Sequence, residues 1–245
     1  METLVTNRLM WYLEKFNLLS NMQSGFRRGR NTLDQIMRLQ DLITRHQHNK
    51  EHVLAVFIDF EKAFDVVWRN GLLIKLKNFG INGQMFDWIT DFISDRTFQV
   101  RVGDALSEVH TLENGTNQGS MILPELFLSM INDMPNGLKN TMVSLFADDS
   151  SLFKACRNIK WLQEAIQKDL DALQLWCNQW GFKVSTEKTV AVLFSQSTNR
   201  PDVKLEINGT AIKIDKSARF LGVIFDQRLT CQNTSITLQA NATNG

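Results

Sequence analysis

The chain has 245 residues, of which 43% are hydrophobic and 22% charged; this composition is typical of folded globular proteins and excludes a largely disordered chain. Lysine and arginine together number 27 and aspartate and glutamate 26, so the net charge favours no class of partner. Three cysteines are too few for a disulfide framework, and no apolar run approaches the roughly 18 residues of a membrane-spanning helix. The first residues do not form a signal peptide, so we expect an intracellular protein of the nucleus or cytoplasm rather than a secreted one.

The first part of the chain shows two helical patterns separated by a basic loop. Apolar residues at helical spacing predict a helix over residues 1–20 and a second one capped by Thr32. Between them, residues 24–31 carry three arginines, two glycines and no acidic residue. This composition fits either a solvated loop or a phosphate cradle, because arginine forks match phosphate oxygens and glycine lets the backbone approach.

The middle part begins with a strand. Residues 53–58 are a run of β-formers that ends at Asp59 and predicts a buried strand. Helical spacing then runs from Phe64 to Gly80. The remaining patterns of this part are a helix over 85–94, a hairpin of residues 97–102 turning at Gly103-Asp104, a polar loop over 115–120 and a helix over 123–134.

The last part predicts most of a sheet. Strands at 142–146 and 151–155 flank the turn Ala147-Asp148-Asp149-Ser150. An amphipathic helix over 159–180 ends at Gly181. The remaining patterns are a strand at 190–194, a hairpin over 203–214 around Asn208-Gly209, a last strand over 218–225, and a polar tail over 229–245 that we expect to be disordered.

The order of these elements predicts an α+β fold whose antiparallel sheet follows a βαββαβ, ferredoxin/RRM-like topology with helices on one face. In that topology the first two strands are parallel and the third lies antiparallel between them. The end of the first strand and the turn between the next two then share one edge of the sheet. We therefore expect Asp59 beside Asp148 and Asp149.

Three carboxylates within about 4 Å would repel one another by several kcal/mol per pair at an effective dielectric near 20, so such a cluster needs cations. Carboxylate oxygens suit Mg²⁺, and two Mg²⁺ ions roughly 4 Å apart can hold the attacking and leaving oxygens of phosphoryl transfer. An Asp-Asp pair is also common turn chemistry. The residues alone leave the reaction open.

Six sequence blocks, in this order, resemble the reverse transcriptase domain of non-LTR (LINE-type, jockey-like) retrotransposons. They are Gln23-Ser24-Gly25-Phe26-Arg27-Arg28-Gly29-Arg30, Ala55-Val56-Phe57-Ile58-Asp59-Phe60-Glu61-Lys62-Ala63-Phe64-Asp65, Asn114-Gly115-Thr116-Asn117-Gln118-Gly119-Ser120, Phe146-Ala147-Asp148-Asp149, Trp180-Gly181-Phe182-Lys183-Val184-Ser185-Thr186-Glu187-Lys188-Thr189 and Phe220-Leu221-Gly222-Val223-Ile224-Phe225-Asp226. The resemblance runs from residue 1 to about Thr230. The sequence departs from the family pattern at Asn117, Leu123 and Glu125, around the expected nucleotide loop.

The resemblance implies the fingers and palm of a right-hand polymerase. It implies an RNA-directed DNA polymerase that adds nucleotides from dNTPs to the primer 3′-hydroxyl on an RNA template, with two Mg²⁺ ions as cofactor and Mn²⁺ as a substitute. The implied partners are an RNA template, a DNA primer and dNTP, with no membrane. The implied domains are the first part of the fingers at 1–52, a palm at 53–228 with a fingers insertion at about 80–115 and a primer-grip hairpin at about 203–226, and a tail at 229–245 with the thumb absent.

The resemblance also implies roles for single residues. Asp59, Asp148 and Asp149 would bind both metal ions, and Lys188 would give a proton to pyrophosphate. The implied nucleotide-binding residues are Phe60, Phe64, Gln118, Gly119, Arg27 and Arg30, with the Phe64 ring excluding a 2′-hydroxyl. The implied primer-grip residues are Phe220, Leu221 and Gly222.

Some of these roles have an alternative explanation without a catalytic function. Phe64 also fits a core position and Lys188 an exposed lysine without a role. The chain as a whole also fits an incompetent, truncated fragment that at most binds RNA or an RNA/DNA hybrid. A further alternative is another two-metal palm enzyme, either a nucleotide cyclase or an RNA polymerase. A cyclase would be expected to carry a Gly-Gly-Asp/Glu-Glu-Phe turn.

Overall fold

The computed structural model describes residues 1–112, 114–116, 119–197 and 201–229. Its helices are α1 (Glu2–Lys15), α2 (Thr32–His48), α3 (Arg69–Asn78), α4 (Gly83–Ile93), α5 (Leu123–Ile131) and α6 (Ile159–Trp180), with a 3₁₀ turn at Met134–Gly137. Its strands are β1 (His52–Ile58), β2 (Thr97–Phe98), β3 (Arg101–Val102), β4 (Ala105–Leu106), β5 (His110–Thr111), β6 (Met142–Phe146), β7 (Asp149–Cys156), β8 (Val190–Phe194), β9 (Glu206–Ile207), β10 (Thr210–Ala211), β11 (Lys213–Asp215), β12 (Ser217–Phe220) and β13 (Val223–Asp226).

The main sheet has five strands in the order β11-β8-β1-β7-β6. Strand β1 pairs antiparallel with both β7 and β8, and β6 pairs antiparallel with β7, so β1 and β6 are parallel with β7 between them. This arrangement confirms the predicted βαββαβ topology and the α+β class. Strand β11 extends the sheet by pairing in parallel with β8.

The central strand β1 is buried on both faces, which explains its unbroken apolar run. On one face, Leu54 and Val56 belong to a large core that includes residues of α1 and α3 to α6. On the other face, Ala55 and Phe57 belong to a second core with α2 and the β12–β13 hairpin. The expectation that helices cover only one face is therefore wrong, because the second apolar face is covered by α2.

Several helix boundaries differ from the predictions. Helix α1 ends at Lys15 rather than residue 20, and the chain then turns at Asn17, whose φ is +51°. The cap of α2 is Asn31 instead of Thr32: the Asn31 side chain accepts from the Asp34 N–H, and the Asp34 carboxylate accepts from the Asn31 N–H. Helix α5 ends at Ile131, ahead of the 3₁₀ turn that contains a proline near its start.

The largest local difference concerns the segment after β1. The predicted helix from Phe64 starts only at Arg69, because the chain following β1 is held by the segment ahead of β8 instead. The Glu61 N–H donates to the Lys183 carbonyl at 2.9 Å, and Phe60 forms a β-bridge with Val184.

Near the end of the chain, the single strand predicted over 218–225 is wrong, because β12 and β13 form a hairpin there. Its turn is Leu221-Gly222, with φ values of +49° and +86°, the left-handed pair of a type I′ turn. The hairpin predicted around Asn208-Gly209 is confirmed by β9 and β10. Residues 230–245, most of the predicted tail, lie outside the described residues.

None of the helices in the described ranges is long and apolar enough to cross a membrane.

Candidate active site

The predicted carboxylates share one edge of the main sheet. In the pairing of β1 with β7, the last matched pair is Ile58 with Ser150, so Asp59 and Asp149 are the next residues on adjacent strands. Phe146 pairs with Asp149 across a two-residue turn of Ala147 and Asp148. Residues about 90 positions apart in sequence are therefore neighbours at the end of β1.

The carboxylates interact electrostatically. Asp149 is exposed overall, but protein atoms surround its carboxyl group. The pKa of Asp149 is raised by this desolvation and by the negative charges of Asp148 and Asp59. The Oδ1 atom of Asp59 is buried and has no hydrogen-bond donor in the described part of the chain. The edge therefore holds more negative charge than its surroundings neutralise.

The backbone of Asp59 is fixed by the segment ahead of β8. Its N–H donates to Thr189 Oγ1 at 3.2 Å, and its carbonyl accepts from the Ser185 N–H at 2.8 Å. The same segment brings Lys188 to the site, with its Nζ atom 3.6 Å from Asp59 Oδ1. The Lys188 side chain is 70% exposed, so it can move towards a ligand at this edge.

The residues fit a hard divalent cation. Carboxylate oxygens are the ligands that such ions prefer, and the buried Asp59 Oδ1 accepts no hydrogen bond from the described residues. Within the described ranges, however, no group of three or more His, Cys, Asp or Glu side chains is already arranged to hold a metal ion. The edge therefore offers suitable ligand atoms, and the carboxylates would have to move closer together to coordinate an ion.

The polar loop at 115–120 starts directly beside Phe64. The Phe64 carbonyl accepts from the Thr116 N–H and from Thr116 Oγ1, both at 3.2 Å. At Gly115, whose φ is +84°, a Cβ atom would lie 2.5 Å from the Asp65 carbonyl oxygen, so a side chain there would clash. Gly119 follows with φ of +92°, and Gln118 lies outside the described residues.

Sequence reasoning missed the residue that holds this loop in place. Arg69, 8% exposed, donates to the carbonyl oxygens of Leu112 at 2.7 Å and Gly115 at 2.9 Å. A single arginine at a helix start has no periodic signal, and its partners lie more than 40 residues away in sequence. Only the folded contacts identify it.

The two predicted nucleotide-binding phenylalanines occupy different environments. The ring of Phe64 is partly buried and lies 4.2 Å, centroid to centroid, from that of Phe127, while the backbone carbonyl of Phe64 accepts from Thr116 of the loop. The ring of Phe60 is 7% exposed and packs edge-on against Phe182 at 5.8 Å. The structure thus gives the Phe60 side chain a packing role.

Two of the three arginines of the basic loop, Arg27 and Arg30, bond other groups of the protein. Arg27 is 8% exposed, and its Nε and Nη2 atoms donate to the two carboxylate oxygens of Glu14 at 2.7 Å each. Arg30 donates to the carbonyl oxygens of Asn21 and Gln23 at 2.8 and 2.9 Å. Arg27 fits neither of the two interpretations of this loop, a solvated loop or a phosphate cradle, because its guanidinium already pairs with a carboxylate. Arg28 is exposed and makes no hydrogen bond within the described ranges.

The predicted primer-grip residues lie on the β12–β13 hairpin. Phe220 is 3% exposed, and its ring lies 5.4 Å from that of Phe57 on β1. The hairpin is therefore anchored to the strand that carries Asp59, with Leu221 and Gly222 at its turn. Because the Phe220 ring is buried in this packing, we do not expect it to contact a primer directly.

The fold is that of the fingers and palm of a right-hand polymerase. The apo telomerase from Candida tropicalis has a similar structure, with a TM-score of 0.64 over 94% of this chain and 40% of that chain, at 12% sequence identity. At this identity the likeness concerns the fold alone.

The sequence places the chain in a family. The profile described as reverse transcriptase (RNA-dependent DNA polymerase) matches residues 1–225, so the chain belongs to the reverse transcriptase family. It is 30% identical over 238 residues to the RNA-directed DNA polymerase from mobile element jockey of Drosophila melanogaster, covering 94% of this chain and 26% of that protein. It is 31% identical over 237 residues to the probable RNA-directed DNA polymerase from transposon BS of the same species, with the same coverage. These relatives confirm the resemblance to jockey-like elements, and the chain spans about a quarter of their length.

Proposed function

We propose that this chain carries the polymerase site of an RNA-directed DNA polymerase of a mobile element. The reaction would be transfer of a nucleotide from a dNTP to the 3′-hydroxyl of a DNA primer paired with an RNA template. The observation that carries the proposal is the meeting of Asp59, Asp148 and Asp149 at one sheet edge in a chain of the reverse transcriptase family. The two Drosophila relatives are themselves named RNA-directed DNA polymerases, which supports the same reaction here.

We assign two Mg²⁺ ions, with Mn²⁺ as a substitute, to Asp59, Asp148 and Asp149. When bound, such ions activate the attacking hydroxyl and stabilise the triphosphate. Asp59 would offer the Oδ1 atom, which accepts no hydrogen bond from the described residues. Asp149, whose pKa is raised by desolvation and by the charges of Asp148 and Asp59, would lose that repulsion. Lys188, exposed beside Asp59, is the group we assign to protonate the leaving pyrophosphate.

The nucleotide would lie between the carboxylates and the loop beside Phe64. Its sugar would meet the Phe64 ring, and Gln118 and Gly119 would line the site. We do not extend the nucleotide-binding role to Arg27 or to the Phe60 ring, because both are buried in internal contacts. Leu221 and Gly222 remain our candidates for holding the primer end.

The partners we propose are an RNA template, a DNA primer and dNTP. Both nucleic acids occur inside the cell, which is where we expect the protein to act.

Primer extension on an RNA template with dNTPs and Mg²⁺ tests the proposal. We expect incorporation by the unaltered chain and its loss, by about 10³-fold or more, in Asp148→Asn. Asp202→Asn is the matched control, because this exposed aspartate is paired only loosely with Lys204 at 3.9 Å. A folded protein that binds the RNA/DNA hybrid but adds no nucleotide would contradict the proposal and favour the alternative of an incompetent fragment that only binds nucleic acid.

A further inference from the structure

A buried glutamine joins the basic loop to the turn that carries the candidate catalytic aspartates. Gln23 is 1% exposed, and its Oε1 atom accepts from the Ala147 N–H at 3.0 Å and the Gly25 N–H at 2.7 Å. Its Nε2 atom donates to the Ala147 carbonyl at 3.4 Å. One side-chain amide thus engages both backbone groups of Ala147.

Ala147 is a position where such support matters. Its φ is +55°, in the left-handed region, which costs a residue with a Cβ atom about 1–2 kcal/mol relative to the right-handed region. Its dihedral angles set the direction in which Asp148 leaves the turn, and Asp149 follows. A change of conformation at Ala147 would therefore move both carboxylates relative to Asp59.

The backbone around Gln23 is itself tightly docked. The Leu145 N–H donates to the Met22 carbonyl at 3.0 Å, and the Ser24 N–H donates to the Leu145 carbonyl at 2.9 Å, so this segment lies along the edge of β6. A Cβ atom at Gly25 would lie 2.3 Å from Ala147 N. Glycine is required there because the segment passes directly against the turn.

The arginines of the basic loop brace the other side of Gln23. Arg27 Nη1 and Arg30 Nη1 both donate to the Gln23 carbonyl, at 3.2 and 2.9 Å. The two-pronged pairing of Arg27 with Glu14 then ties this brace to α1. The contacts run continuously from Glu14 through Arg27 and Gln23 to Ala147.

We propose that Gln23 is a positioning residue for the metal-binding turn: it holds Ala147 in its left-handed conformation and so directs Asp148 and Asp149 towards the ions shared with Asp59. Arg27 and Arg30 support this role by fixing the Gln23 backbone. The effect on metal binding rests on the proposed function of the carboxylates, whereas the effect on Ala147 does not.

The test compares Gln23→Met with Gln35→Met, since both replace a buried glutamine by an apolar side chain of similar size. Gln35 is 6% exposed and bonds Ser24 and Ser144 instead of the turn, so it controls for the loss of buried hydrogen bonds in the same region. The first readout is amide hydrogen exchange at Ala147, measured by NMR. The second is the Mn²⁺ concentration that half-broadens the amide signals of Asp148 and Asp149 in the protein alone, without nucleic acid or turnover.

We expect Gln23→Met to speed exchange at Ala147 by about tenfold or more and to raise the half-broadening Mn²⁺ concentration by about 10–100-fold, the usual effect of losing a residue that orients a metal ligand. Gln35→Met should leave both values near those of the unaltered protein. Adding Ala147→Gly to Gln23→Met should lower the Mn²⁺ requirement again, because glycine adopts positive φ without the steric cost. Loss of packing alone would not be rescued in this way.

Unchanged exchange at Ala147 in Gln23→Met would overturn the proposal, as would faster exchange with an unchanged Mn²⁺ requirement. If Gln23→Met does not fold, the unaltered chain still decides: its Ala147 amide must be protected, and rapid exchange there would overturn the proposal. Neither readout uses polymerisation, so an inactive chain would count against the proposed function and not against this role of Gln23.

Discussion

At the scale of single residues, the site is defined by negative charge that the described residues balance only in part, through Lys188 beside Asp59. Asp149 has a raised pKa because of desolvation and two neighbouring carboxylates, and Asp59 keeps a buried oxygen that accepts no hydrogen bond from the described residues. Both features oppose stability in the absence of cations, and both fit a site that binds them.

Replacing Asp149 should therefore stabilise the metal-free protein. A carboxyl group with a raised folded-state pKa binds its proton more tightly in the folded than in the unfolded state, so it favours folding at low pH and loses that contribution as the pH rises through the folded pKa. We expect Asp149→Asn to be more stable than the unaltered chain at pH 7 by a few tenths of a kcal/mol, since the residue is exposed. Urea titrations at pH 7 and near pH 4 measure the effect.

The gain should shrink towards pH 4, near the ordinary pKa of an aspartate, and also on addition of Mg²⁺, which stabilises the unaltered site by binding it. Asp202→Asn, far from this cluster in sequence and 81% exposed, provides the control. An Asp149→Asn protein less stable than the unaltered chain at pH 7 would show that this charge is well accommodated.

Phe64 should decide which sugar is accepted. Its backbone is fixed by Thr116, so shortening the side chain opens space beside the loop without releasing the loop. We expect Phe64→Ala to admit ribonucleotides, measured as the ratio of rNTP to dNTP incorporation on an RNA template. Phe16→Ala, at an exposed ring 53% accessible to solvent, should leave the ratio unchanged. The same ratio in Phe64→Ala as in the unaltered chain would remove Phe64 from the nucleotide site.

At the scale of elements, the position of β6 depends on α6. Asp169 of α6 is 1% exposed and accepts from the N–H groups of Lys139, Asn140 and Thr141 and from the Thr141 hydroxyl, at 2.7–3.2 Å. These residues lead into β6, whose other end reaches the turn with Asp148. One buried carboxylate thus fixes the entry of a strand that carries the site at its exit.

Asp169→Asn should destabilise the fold by roughly 2–4 kcal/mol, because the new amide group turns N–H donors towards N–H donors. Chemical denaturation measures the loss. Asp171→Asn on the same helix removes an exposed carboxylate that accepts from Gln167 at 2.8 Å, and it should cost less than about 0.5 kcal/mol. Equal losses in the two variants would mean that the buried hydrogen bonds of Asp169 contribute nothing special.

Elements were predictable where local pattern and folded context agree. Helix α6 has the expected bounds because an apolar stripe runs along it and Gly181, with φ of +78°, closes it. The helix expected from Phe64 failed because the chain after β1 pairs with the segment around Lys183, a contact that no local spacing reveals. The β12–β13 hairpin was missed because its Leu221-Gly222 turn interrupts a strand pattern by only two residues.

At the scale of the whole molecule, the topology predicted which distant residues meet, whereas hydrophobic periodicity predicts only local elements. The order of strands and helices was sufficient to predict that Asp59 and Asp149 are neighbours. The contacts of Glu14 with Arg27, of Arg69 with Gly115 and of Gln23 with Ala147 were not predictable, because each joins side chains to distant groups without any repeat in the sequence. The sequence was thus sufficient to predict the carboxylates of the candidate site, whereas the residues that support them are identified only by contacts in the folded structure.

We propose that the carboxylates at the end of β1 perform nucleotidyl transfer. Addition of a single dNTP to a primer on an RNA template, measured under single-turnover conditions at a range of Mg²⁺ concentrations, tests it without requiring the chain to stay on the template. Asp59→Asn should abolish this addition, whereas Glu61→Gln, two residues further along and paired with Lys183 at 3.0 Å, should retain it. Addition that persists in Asp59→Asn would contradict the account, and its loss in Asp59→Asn alone is the result that we predict.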